Sequence, residues 1–166
     1  MDPVMARRSI RKYTEEPVSD DQVRRLLEAA MAAPSAGNQQ PWHFVVVRDR
    51  GLRERVPGIH PYAEMVRQAP VAILVCGDPT LEKHKGFWVQ DCSAATENIL
   101  VEAVQLGLGA VWLGIHPVEE RVEAFRLAFG LPKHVIPLAM IAVGHPAEQK
   151  PPADRFDPAR VHHDRW

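Results

Sequence analysis

Four cationic residues crowd one short stretch near the N-terminus. They are Arg7, Arg8, Arg11 and Lys12, with Ser9 among them and Tyr13 closing the run. Guanidinium groups bind phosphate oxygens through paired hydrogen bonds, and a serine hydroxyl adds a short donor. The stretch therefore has the chemistry of a clamp for one compact phosphate. Taken alone, it reads more simply as a solvated basic arm. The chain as a whole carries a formal net charge of −1. That balance provides no electrostatic footprint for nucleic acid or an anionic membrane, so neither is an expected partner.

A second segment runs Pro34-Ser-Ala-Gly-Asn-Gln-Gln-Pro-Trp-His-Phe44. Ser35, Asn38 and Gln40 supply donors and acceptors on a turn-rich loop. Such a loop suits the polar rim of a flat heteroaromatic ligand, although an ordinary helix-to-strand connection has the same composition. Gly107-Leu-Gly-Ala-Val-Trp-Leu-Gly114 is glycine-rich, but its third glycine comes too late for a dinucleotide fingerprint and it follows a helical pattern. No G-x-S-x-G, H-E-x-x-H or Walker loop occurs. The histidines His60, His84, His116, His134, His145, His162 and His163 are scattered without ligand spacing, so no metal is expected. Asp91 and Glu97 are six residues apart on one helical pattern and so face different ways. They read as caps or interface ion pairs rather than an acid–base pair.

These residues need elements to position them. Ser19 and Gln22 have capping-box spacing, and Val23, Leu26, Leu27, Ala30 and Met31 follow at helical intervals. That helix should stop near Ala33, before Pro34. Trp42 to Arg48 reads as a strand, and 49–69 as short helices broken at Pro57-Gly58 and His60-Pro61. Val71 to Cys76 is a central strand buried on both faces. Residues 79–86 read as a mobile connection. A long helix spans Phe87 to Leu106, with Gly107 and Gly109 stopping it. A strand at Ala110–Leu113, a helix from Pro117 to Phe129 and a strand from Val135 to Val143 complete the order. The fold class is α+β: one domain over 1–166, a mixed or antiparallel sheet flanked by helices.

The helix at 87–106 is apolar enough to need cover around most of its circumference. One small chain has little to offer, so a homodimer is expected with this helix near the interface. The tail from His145 to Trp166 carries Phe156, Val161 and Trp166 as apolar anchors and is expected to dock on the partner. Cys76 and Cys92 form no C-x-x-C pair, and Cys76 reads as a buried free thiol. Both fit a reducing, cytoplasmic setting. No apolar stretch approaches the ~20 residues of a membrane span.

The two opening segments, in their order, resemble the start of nitroreductase-family flavoproteins. Gln90-Asp-Cys-Ser-Ala-Ala-Thr-Glu-Asn-Ile-Leu100 is similar to the family's central helix. Residues 107–114 are similar to the turn and strand after it, and Gly144-His-Pro-Ala-Glu148 with the arginine-bearing tail to the C-terminal part. The resemblance implies an α+β sandwich, a homodimer and FMN bound in its interface. It implies that Arg7, Arg8, Ser9 and Arg11 hold the phosphate, ribityl chain and pyrimidine edge. Pro34, Ser35 and Asn38, with Gln40 on the same loop, would approach the ring from the partner subunit. Leu113 and Gly114 would place backbone groups near flavin N5, and Arg155, in preference to Arg160, would complete the phosphate site.

The implied activity is ping-pong hydride transfer from NAD(P)H through N5 to a small acceptor: a nitroaromatic, quinone, flavin or activated alkene. No protein nucleophile is then required. His60 and Tyr62 fall in the family's variable lid, as substrate contacts or as ordinary surface residues. Phe87 and Trp88 wall the pocket or pack in the core. The connection before residue 87 is short for the family, so the lid is small and the pocket open. A non-enzymatic flavin sensor is the alternative of another class. Flavin fragmentation and reductive dehalogenation also occur in the family.

Overall fold

A computed structural model describes residues 2–151 and 153–166. Its sheet has four strands: β1 (Trp42–Val47), β2 (Val71–Gly77), β3 (Gly109–Gly114) and β4 (Ile136–Gly144), in the order β1-β2-β4-β3. All three pairings are antiparallel. Every residue of β2 is buried, as its unbroken apolar run requires. Its side chains alternate between two cores. Val71, Ile73 and Val75 join Leu26, Ala30, Ala95 and Ile99 on one face. Ala72, Leu74 and Cys76 join Val56, Phe125 and Met140 on the other. Burying one such Ile or Leu contributes about 1.5–3 kcal/mol. The sheet is thus the middle layer of a sandwich.

Five α-helices cover it: α1 (Pro3–Ala6), α2 (Asp20–Met31), α3 (Arg50–Ile59), α4 (Trp88–Gln105) and α5 (Glu119–Phe129). The capping box of α2 forms. The Ser19 hydroxyl accepts from the Gln22 amide at 3.1 Å, and the Gln22 side chain accepts from the Ser19 amide at 2.9 Å. Helix α2 lies on α4, where the Asn98 amide donates to the Ala29 carbonyl at 2.9 Å.

Two expectations are corrected. Helix α3 runs through Pro57-Gly58 instead of breaking there. Asp49 caps it, Val56 is fully buried, and the Arg53 guanidinium donates to the carbonyls of Val66, Arg67 and Ala69. Tertiary anchoring outweighs the one backbone donor that proline removes. The connection at 79–86 is tied rather than loose. The Gln39 side-chain oxygen accepts from the amides of Lys83 and His84 at 2.8 and 3.1 Å. Glu82 accepts from those of Gly86 and Trp88 at 3.0 and 2.8 Å. The chain by itself buries nine of the eighteen residues of α4. Gln90, Glu97 and Gln105 are exposed and Ala94 and Val101 half-buried along one open face. The tail anchors Phe156, Val161 and Trp166 are likewise uncovered within one chain.

Both cysteines are buried free thiols. Burial pushes each thiol up to about 12, so almost no thiolate exists near neutrality, and the thiolate is the nucleophile. A disulfide reagent at pH 8 is expected to leave both unmodified in the folded protein and to titrate both after denaturation. Prompt labelling of the native protein would contradict this.

Candidate functional site

The basic arm lies along the sheet edge at β3. Ser9 forms an isolated parallel bridge with Ala110, and the Ile10 amide donates to the Ala110 carbonyl at 3.0 Å. Gly109 makes this approach possible: a Cβ there would sit 2.6 Å from Ile10 Cγ2. The Tyr13 hydroxyl lies 2.7 Å from the Ile10 carbonyl oxygen and 3.1 Å from that of Ala142. Its burial pushes the phenol well above its ordinary range. The Ala147 amide donates to the Lys12 carbonyl at 2.9 Å, so the start of the tail covers the arm from the other side.

The four arm residues have distinct surroundings. Arg7 pairs with Glu97 at 3.2 Å. Thus Glu97 is an ion-pair residue, and the guanidinium already has an anionic partner. Arg8 donates to the carbonyls of Pro151 at 2.8 Å, Met5 at 3.1 Å and Arg7, while its buried Nη2 has no partner among the described residues. The Ser9 carbonyl accepts from Lys150 Nζ and, at 3.4 Å, from Arg11. The Arg11 guanidinium has no carboxylate partner among the described residues. Arg155, the expected fourth cation, is exposed, and no hydrogen bond or ion pair joins it to the arm. Arg160 pairs with Asp157 at 3.2 Å. The tail cation that reaches the arm is Lys150, a shorter step along the chain from β4 than either arginine.

Arg11 also lines a pocket of about 500 Å³ with His60, Pro61, Tyr62, Glu64, Met65, Trp112, Leu113, Gly114 and Arg121. Gly114 ends β3, and the space where a Cβ would project is open. Its carbonyl accepts from His60 Nε2 at 2.9 Å and from Arg121 Nη1 at 3.1 Å. The Tyr62 amide donates to His60 Nδ1 at 3.2 Å, so the proton of the neutral ring belongs on Nε2. Burial, with Arg121 nearby, holds the His60 pKa below its ordinary value. His60 is buried, which corrects its reading as a surface residue; Tyr62 is exposed. Sequence reasoning missed Arg121. The one available signal was a cation in the first turn of α5, where it opposes the helix dipole.

The loop at 34–40 sits elsewhere, against the start of α4. Asp91 is buried there and accepts from the Ala36 amide at 3.0 Å and from the Gln39 side chain at 2.6 Å. It is a loop anchor, which corrects its reading as a cap or ion pair. The Ser35 hydroxyl accepts from the Gln40 amide at 3.0 Å, and Asn38 Oδ1 accepts from the Gln40 side chain at 2.7 Å. Asn38 and Gln40 have φ of 53° and 48°, the left-handed region that asparagine tolerates better than most residues. Pro34 and Ser35 line a shallow recess with Phe87. The Arg11 pocket and the Pro34–Ser35 recess share no lining residue. Trp88 packs in the core.

An α+β sandwich with a cationic arm on its sheet edge and a pocket at the end of that edge strand matches one family of oxidoreductases. A model of the nitroreductase family fits residues 4–59 and 59–145. A provisionally named NADH dehydrogenase/NAD(P)H nitroreductase of Methanothermobacter thermautotrophicus is 52% identical over 166 residues, covering 100% of this chain and 87% of that protein. A provisionally named NADH oxidase from Clostridium acetobutylicum superposes with a TM-score of 0.96 at 43% identity, covering 99% of this chain and 100% of the other. A provisionally named nitroreductase from Desulfovibrio desulfuricans, solved with FMN, gives 0.86 at 36% identity over 99% and 95% of the two chains. The chain belongs to the nitroreductase family and is an oxidoreductase. No helix among the described residues is long and apolar enough to cross a membrane.

Proposed function

We propose that the chain binds FMN without a covalent bond and, as a homodimer, uses NAD(P)H to reduce a small electron acceptor. The observation that carries this is one pocket shared by the Arg11 guanidinium and the open Leu113–Gly114 end of β3. The donor set fits a flavin mononucleotide. It offers an arm of three guanidiniums and a hydroxyl for the phosphate and ribityl chain, with a buried Arg8 nitrogen still unpartnered. A flat ring meets a glycine that leaves room beside the backbone. FMN bound there supplies hydride transfer through N5, in ping-pong order between NAD(P)H and a nitroaromatic, quinone, flavin or activated alkene.

The chain's own residues bind and orient. Arg7, Arg8, Ser9 and Lys150 hold the phosphate end, which requires Arg7 to exchange Glu97 for phosphate. Arg11 places positive charge beside the pyrimidine edge. His60 and Arg121 fix the Gly114 carbonyl, so the strand end keeps its shape. Met65, Trp112 and Leu113 exclude water from one side. Ser35 and Asn38 reach the ring from the partner subunit. Three features support two chains: the open face of α4, the exposed tail anchors and the separation of loop from arm.

The test is anaerobic mixing of the yellow protein with NADH or NADPH. The flavin absorbance is expected to bleach and to return on adding an acceptor. No bleaching with either donor would leave only a flavin-binding protein. Arg7→Ala is expected to weaken FMN binding roughly 10- to 100-fold, the worth of a charge-assisted contact. Equilibrium dialysis showing unchanged retention would remove Arg7 from the phosphate site.

A further inference from the structure

We propose that Arg121 selects the electron acceptor, and that the pocket takes an aromatic acceptor bearing an anionic substituent, a carboxylate or sulfonate. This rests on the pocket being the reduction site proposed above. The charge balance of the lining comes first. Arg11 and Arg121 both line the pocket, and neither guanidinium has a carboxylate partner within 4 Å among the described residues; the Arg11 backbone amide alone donates to Glu148, at 2.6 Å. The one acidic residue of the lining, Glu64, is turned to Arg67 at 2.9 Å. His60 is held neutral by its burial. Uncompensated positive charge in a recess with apolar walls attracts anions more strongly than the same charge on an open surface.

The geometry of Arg121 comes second. A guanidinium carries five N–H donors, and the only hydrogen bond made by Arg121 among the described residues is that to the Gly114 carbonyl. The guanidinium carbon lies 5.8 Å from the centroid of the Tyr62 ring, within cation–π range. Tyr62 is 71% exposed, so its aromatic surface is open to a ligand. A cation with unused donors, lying over an exposed aromatic ring, complements an aromatic ligand that carries an anion. The residue also stands in the first turn of α5, where a cation works against helix stability. The helix does not account for its placement; the Gly114 carbonyl and the Tyr62 ring hold the guanidinium and leave its remaining donors for a ligand.

The same charge does not suit the reductant's ring once it is oxidised. The nicotinamide ring arrives uncharged and leaves as a cation, which Arg11 and Arg121 repel. The pocket therefore favours release of the oxidised donor and entry of an anionic acceptor.

Calorimetry with two unreactive probes tests this on the flavin-loaded protein. Benzoate is expected to bind at least about tenfold more tightly than benzyl alcohol, since one charge-assisted contact is worth that factor or more. Arg121→Gln is expected to erase the difference, and Arg121→Lys to restore part of it. In turnover, the ratio of kcat/KM for para-nitrobenzoate to that for para-nitrobenzyl alcohol should fall about tenfold in Arg121→Gln, through KM. Equal binding of the two probes by the parent protein overturns the proposal. So does a preference for benzoate that survives Arg121→Gln. Should that variant fail to fold, a reduced preference in Arg121→Lys relative to the parent decides, because lysine keeps the charge and lacks the planar fork; an undiminished preference there overturns the proposal. Binding is read without turnover, so a protein that NAD(P)H cannot reduce would fail the oxidoreductase reading while leaving the probe result interpretable.

Discussion

Asp91→Ala is expected to destabilise the protein by about 2–4 kcal/mol, a fall in Tm of roughly 10 °C. The carboxylate is buried and holds both the Ala36 amide and the Gln39 side chain. Removing it leaves two donors without their partner, one part-buried and one buried, and each such group costs about 1–3 kcal/mol. The effect spreads, because the same Gln39 side chain accepts from Lys83 and His84. Two loops are joined through one amide group, so freeing Gln39 loosens both. Gly37 packs within this junction: a Cβ there would lie 2.7 Å from the His84 ring. Ser35 and Asn38 would lose their fixed positions, and turnover should fall alongside stability. Asp91→Asn keeps one acceptor oxygen and is expected to cost about half as much. Thermal melts of the two variants check the order. A change in Tm below about 2 °C in Asp91→Ala would show that water satisfies the loop and that Asp91 is not its anchor.

Gly109→Ala is expected to act on the arm. The new Cβ would meet the Cβ of Ile10 at 2.8 Å as well as its Cγ2 at 2.6 Å. A Cβ is fixed to the backbone, so a change of rotamer cannot relieve the clash, and the arm must move off β3. Overpacking of this kind costs about 1–3 kcal/mol. The loss of FMN affinity should be larger, roughly tenfold or more, because the arm carries every guanidinium assigned to the phosphate. A double-mutant cycle isolates the contact. Ile10→Gly removes the opposing Cβ, so its combination with Gly109→Ala should recover part of the affinity that Gly109→Ala loses. Additive losses would place the effect of Gly109 elsewhere. Gly109 is therefore no stop for α4, which ends at Gln105 with Gly107 in the left-handed region after it: it opens β3 and permits the arm to lie against that strand.

The parts of the fold written in local pattern are the parts that could be read from it. Strand β2 is an unbroken apolar run. Helix α2 begins at a serine with glutamine three places on, and α5 ends at Gly130 in the left-handed conformation. Each signal lies within a few residues of what it determines. Misreadings arose where distant side chains decide. Pro57-Gly58 looks like a break because the carbonyls that Arg53 reaches lie 13 to 16 residues further on. Segment 79–86 looks loose because Gln39, some 44 residues earlier, ties it. Charge alone could not choose a tail cation, since Lys150, Arg155 and Arg160 are equivalent until β4 fixes where the tail leaves the sheet. His60 was misjudged for a similar reason. Its acceptor is Gly114, 54 residues on.

The arm's surroundings also bear on the order in which the chain can be assembled. Residues 7–11 are synthesised before anything they rest on exists. Their docking strand is β3, at 109–114, and their cover is the segment from Pro146 to Pro151. Synthesis proceeds at about 5–20 residues per second, so the arm waits several seconds as an unpaired cationic segment. It can settle only after the segment up to Pro151 has been made. Assembly of the arm is therefore a late event, and a chain cut short before that segment would leave Arg8 and Lys12 without their partners at Pro151 and Ala147.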